Sequence, residues 1–159
     1  MSASKNKFEQ YKNDFIKADK MLSSLGLNNI IKQHRFPFLH HGDTYEKRAQ
    51  IKNLLNENGY TIGYVTIDNF DWYINSKVVK AFKSGMQINF DNLKKLYIDA
   101  LWHSITFYDD LAKDYLKRSP KHVLLLHENE LAALFLGDLL EHIKSKGWEI
   151  ISPEAAYKD

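Results

Sequence analysis

Short runs of β-branched and aromatic residues alternate with long amphipathic stretches along this chain, and that alternation most restricts its fold. Tyr60–Ile67, Val123–Leu126 and Trp148–Ile151 are too short and too apolar for surface helices and read as strands. Ile30-Ile31 leads into Arg35 as a further short strand. Between them Phe8, Tyr11, Phe15, Ala18, Met21, Leu22 and Leu25 recur at three- and four-residue steps, which predicts a helix stopped by Gly26. Asp43 or Thr44 caps a second helix over Tyr45–Asn58, stopped by Gly59. Asp91 caps a long third helix through Leu93, Tyr97, Leu101, Ile105 and Tyr115, with Pro120 beyond its end, and Leu131–Lys146 forms a fourth. Strands alternating with helices at this spacing imply βα units, hence the α/β class with a parallel sheet and outer helices. Residues 76–119 exceed a simple crossover and read as a helical insertion.

The size and charge of the chain exclude several functions. Its 159 residues suit one domain or half of a larger α/β domain, and 44 % apolar with 13 % aromatic residues supply a core. A net charge of +2 with interspersed signs argues against nucleic acid as partner. No apolar run reaches membrane-spanning length, the opening residues lack a signal-peptide core, and the absence of cysteine excludes disulfides and thiolate metal sites.

Chemistry in parallel sheets collects at the carboxyl ends of strands, where Arg35, Asp68, Asp71 and His127 all fall on this reading. The planar charge of Arg35 suits orienting a carboxylate, or an ordinary surface ion pair. Asp71 on one ring nitrogen of a histidine would favour an imidazolium able to act as general acid. Trp72 is either a groove wall or core packing, and a histidine such as His127 at a strand end is either structural or an acid. His40, His41 and Asp43 invite a metal reading, but neighbouring histidines after a strand point apart. His34, His103, His122 and His142 add no i, i+4 pair, so no metal site is expected from this chain alone.

Arg35-Phe36-Pro37-Phe38, Asp68-Asn69-Phe70-Asp71-Trp72 and Leu124-Leu125-Leu126-His127 together resemble the last three motifs of the polysaccharide deacetylases, carbohydrate esterase family four. Gly147 to Glu154 is similar to that family's last strand and closing turn, so the likeness runs from about Phe8 to Tyr157. It implies a partial (β/α) barrel, one partial domain over residues 1–159. It also implies a metal-dependent hydrolase that removes acetyl groups from a cell-wall or chitin-type polysaccharide. By the same likeness His127 is the acid that protonates the leaving group, and Asp71 raises that histidine's basicity. Arg35 orients the base, while Trp72, Phe38, Pro37 and Asp68 line the substrate groove. Phe38 stands where the family often has tyrosine.

The family's first two motifs, an Asp-Asp pair and a His-x-x-x-His clamp, have no counterpart upstream of Arg35. The resemblance therefore implies a divalent metal, zinc by family habit, in a complete protein, with none held by this chain alone, which is expected to be inactive. Relatives are usually exported, and their substrate or partner is a polysaccharide or acetylated oligosaccharide. An open parallel sheet also exposes an edge that a homo-oligomer would cover. A non-catalytic carbohydrate-binding or self-assembling remnant is the alternative reading.

Overall fold

The computed structural model describes residues 5–27 and 32–158. The chain divides into two compact units, Met1–Tyr64 and Val65–Asp159, each with its own core. Helix makes up 63 % and strand only 4 %, which overturns the partial (β/α) barrel. Among the described residues, what remains of the expected sheet is one two-stranded parallel pair.

In the first unit, helix α1 spans Lys5–Ser24 and α2 spans Tyr45–Glu57. Thr44 caps α2, its hydroxyl accepting from the Lys47 amide at 3.3 Å, and Gly59 takes the left-handed conformation after it with φ 75°. The parallel pair joins β1, Gln33–His34, to β2, Thr61–Ile62. Phe15, Phe36, Ile51, Leu54 and Leu55 form the core, with Phe8, Tyr11, Ile16 and Tyr60 against it. The apolar stripe expected on α1 is buried only in its first half, since Met21, Leu22 and Leu25 are exposed. The strand expected at Ile30-Ile31 lies outside the described residues.

In the second unit, α3 spans Asp71–Lys83, α4 spans Phe90–Leu116 and α5 spans Glu130–Ser145, with a single turn, α6, at Pro153–Ala156. The segment 76–119, expected as a helical insertion, is mostly helical. It holds most of α3, a turn, and α4. Asn89 rather than Asp91 caps α4, accepting from the Asn92 amide at 2.9 Å. Leu93, Tyr97, Leu101 and Ile105 on α4 pack with Leu131, Phe135, Leu139 and Ile143 on α5 around Ile67, as the helical periodicity requires.

The strand runs at 60–67, 123–126 and 148–151 are extended but scarcely paired. Beyond β2, the first two meet through the parallel bridge Ile67–Leu124 and a bond from the Thr66 amide to the Val123 carbonyl at 3.0 Å. There the Val123 amide donates to Thr66 Oγ1 at 2.7 Å, so a side chain replaces the next rung of a ladder. Ile150 and Ile151 are exposed. β-Propensity reports a side chain suited to a pleated, half-buried surface and cannot report whether a neighbouring strand exists.

Candidate functional site

The segment Asp68-Asn69-Phe70-Asp71 folds as a hydrogen-bonded turn that starts α3. Asp68 Oδ1 accepts from the Asn69 amide at 2.8 Å, and Asn69 Oδ1 accepts from the Asp71 amide at 2.8 Å. Asn69 is buried and its side-chain amide donates to the Leu125 carbonyl, which ties this turn to the extended run before His127. Short polar side chains bonding to backbone two residues on are the ordinary chemistry of such turns.

That framework aims Asp71 at His127. Asp71 Oδ1 lies 2.7 Å from His127 Nδ1, and Oδ2 accepts from the His127 amide at 2.9 Å and the Asn129 side-chain amide at 3.2 Å. The Asp71 side chain is 0 % exposed and that of His127 44 %, so the carboxylate is enclosed while the ring reaches solvent. A carboxylate that only accepts places the proton on Nδ1 and leaves Nε2 for chemistry outside. Asn129 has a second task, capping α5 by accepting from the Ala132 amide at 2.9 Å.

Around this dyad, Phe70, Trp72 and Tyr73 expose their rings, with Trp72 edge-on to Tyr73 at 5.8 Å. The Lys77 ammonium sits 4.7 Å from the Tyr73 ring centre. Asn75 fastens α3 to the start of α5, accepting from the Leu131 amide at 3.1 Å and donating to Glu130 at 2.6 Å. That bond to Asn75 holds the Glu130 carboxyl below its usual range. An open groove of about 560 Å³ follows the first turns of α5, lined by Glu128, Asn129, Glu130, Ala132, Ala133 and Leu136.

Of the other expected site residues, Arg35, Pro37 and Phe38 belong to the first unit. Arg35 is exposed and its Nε donates to the Gly63 carbonyl at 3.3 Å. Pro37 begins a single 3-10 turn in which Phe38 is 91 % exposed and left-handed, φ 54° and ψ 24°. Asp68, expected in the groove, is exposed in the second unit and serves the turn through Asn69. Asp71, His127 and Trp72 share the second unit, with a direct bond between the first two.

Sequence reasoning missed the parts that Asn69 and Asn129 play in holding Asp71. The Asn-x-Asp spacing of the turn and the Asn-Glu start of α5 were the available signals. It also missed a buried network in the second unit. Asp109 accepts from Ser119 and Lys113, each at 2.6 Å, and lies 3.2 Å from His122 Nε2. Burial pushes the Asp109 carboxyl up, but hydrogen bonds from Lys113, Ser119 and His122 outweigh it and leave the group below its usual range. His122 is enclosed, stacks on Trp148 at 5.7 Å and meets Thr66 Oγ1 at 3.0 Å, so the network fixes the end of α4 to the extended runs.

No group of three His, Cys, Asp or Glu side chains among the described residues could hold a metal ion. His40 and His41 are exposed on the first unit and do not alter this. The implied divalent metal therefore does not fit the described residues. Among them, no helix is long and apolar enough to cross a membrane. No protein-family model, no curated protein and no solved structure matches the chain.

Proposed function

We propose that the second unit carries the general-acid part of a polysaccharide deacetylase-like site. The Asp71–His127 dyad carries this reading: an enclosed carboxylate on Nδ1 and a reachable Nε2, beside exposed aromatic rings. In this reading Nε2 of His127, protonated, gives its proton to the amine or alkoxide leaving an acetylated sugar. Asp71 holds the ring and stabilises its cation while the proton is there. Asn69 and Asn129 keep the carboxylate in place. Trp72 presents an apolar face on which a sugar ring can stack. The base and the metal of such a hydrolysis are supplied from outside the described residues, so this chain alone does not turn over substrate.

A carbohydrate-binding module without catalysis is the second reading. The three exposed rings Phe70, Trp72 and Tyr73 favour it, because binding needs no metal. Both readings require that an acetylated chito-oligosaccharide bind, quench the emission of Trp72, and fail to do so in Trp72→Phe. No binding sinks both. In His127→Ala the two part: a site built around the acid loses contacts to the acetylated position and discriminates less against the deacetylated sugar, whereas a stacking platform keeps its preference unchanged. Turnover abolished by a chelator would instead show that this chain does hold a metal.

A further inference from the structure

The buried face of α3 runs through Asp71, Ile74 and Val78, spaced i, i+3 and i+7. Ile74 and Val78 pack against the cluster that contains Tyr97 of α4 and Leu131 of α5, so Asp71 enters the same interior as Tyr97. Tyr97 is 0 % exposed, and its hydroxyl has no hydrogen-bond partner among the described residues. A buried tyrosine hydroxyl ordinarily finds one. Asp71 has acceptor capacity to offer: Oδ2 takes two donors, but Oδ1 takes one, and a carboxylate oxygen accommodates two. Burial, then the charge of Asp71, push the Tyr97 hydroxyl up to about 12, so it keeps its proton and can face the carboxylate as a donor.

We propose that Tyr97 is a positioning residue of the Asp71–His127 dyad, its hydroxyl donating toward Oδ1 of Asp71 across one ordered water. The bridge limits rotation of the carboxylate and shares its charge, so that His127 is held by a carboxylate of fixed orientation. Other charged side chains on the segments bearing the dyad, Asp68, Glu128 and Glu130, are exposed to solvent. None of them takes this interior place. This rests on the acid–base reading for its meaning in catalysis, while its test requires no turnover.

Tyr97→Phe removes one oxygen and keeps the ring in the core. In the full chain, the His127 Nδ1 proton is followed by NMR, since a proton held at 2.7 Å from a carboxylate resonates downfield. Without the tyrosine donor Asp71 becomes the stronger acceptor for His127, and the signal moves further downfield. An unmoved signal overturns the proposal. Urea unfolding gives a second separation: loss of a bridging donor lowers the midpoint, whereas removal of an idle buried hydroxyl raises it. Should Tyr97→Phe not fold, tyrosine labelled at Cζ in the unaltered chain decides, and a Tyr97 signal typical of a hydroxyl with no partner overturns the proposal. Failure of sugar binding, by contrast, refutes the functional reading and leaves these signals as they are.

Discussion

Phe38 shows how little of a residue's role is set by its apolar character. Its ring is 91 % exposed while its backbone is left-handed, so the fold bears strain and gains no burial from it. A non-glycine residue in that region costs about 1–2 kcal/mol, and glycine gives back roughly 0.5–1 kcal/mol through the unfolded chain. Phe38→Gly should therefore raise stability by up to about 1 kcal/mol in urea unfolding. A fall of that size would mean the ring makes contacts that its exposure does not suggest. Strained, exposed side chains collect at functional surfaces, which is why Phe38 stays of interest whatever the family. The pairing of Asp71 with His127 was legible from their motifs, although Asp71 opens a helix and does not end a strand. Asn69, Asn129 and Tyr97 were not, because their parts depend on partners 56 or more residues away or on a core that only packing reveals.

At the scale of elements, the helices were legible and the strands were not. Apolar steps of three and four marked α1 and α4, and a cap with a glycine stop marked α2, since one face of each helix must find a core. Helix α3 escaped because Asp71-Trp72 looked like the tip of a strand, although Asp71, Ile74 and Val78 already carried helical spacing. The strand runs failed for a different reason: each has the composition of a strand, but pairing needs a second backbone at the right distance. Caps give the sharpest element-level test. Thr44 and Asn129 both cap helices, but only Asn129 also donates to a buried carboxylate. Thr44→Ala should cost about 1 kcal/mol. Asn129→Ala should cost about 2–4 kcal/mol, the cap plus a hydrogen bond to a charged group. Urea denaturation of the two variants checks this, and equal losses would mean that Asn129 contributes nothing to holding Asp71.

At the scale of the whole molecule, the two units should answer acid in different ranges. His34 packs between Phe15 and Phe36 in the first unit, with Tyr11 Oη 2.6 Å from its Nε2, and burial lowers its pKa from the ordinary 6.5. The unfolded chain then takes up a proton below pH 6.5 that the folded unit refuses, so stability falls as pH drops from 6.5 toward the folded value. In the second unit Asp109, with its folded pKa lowered from 3.8, contributes stability that is present above pH 3.8 and lost as pH falls through the lower folded value. Asp19 in the first unit behaves likewise, lowered first by its hydrogen bond from Tyr60. Opening free energies from hydrogen exchange, corrected for the intrinsic rate, should thus decrease between pH 7.5 and 5.5 at Ile51–Leu55 but not at Leu101–Ile105. Only well below pH 4 should the latter follow. His34→Phe, which keeps the ring contacts and cannot titrate, should flatten the first decline while leaving the low-pH loss through Asp19 and Asp109. A decline of the same slope in both cores, unchanged in His34→Phe, would show that the acid response arises elsewhere than in the enclosed imidazole.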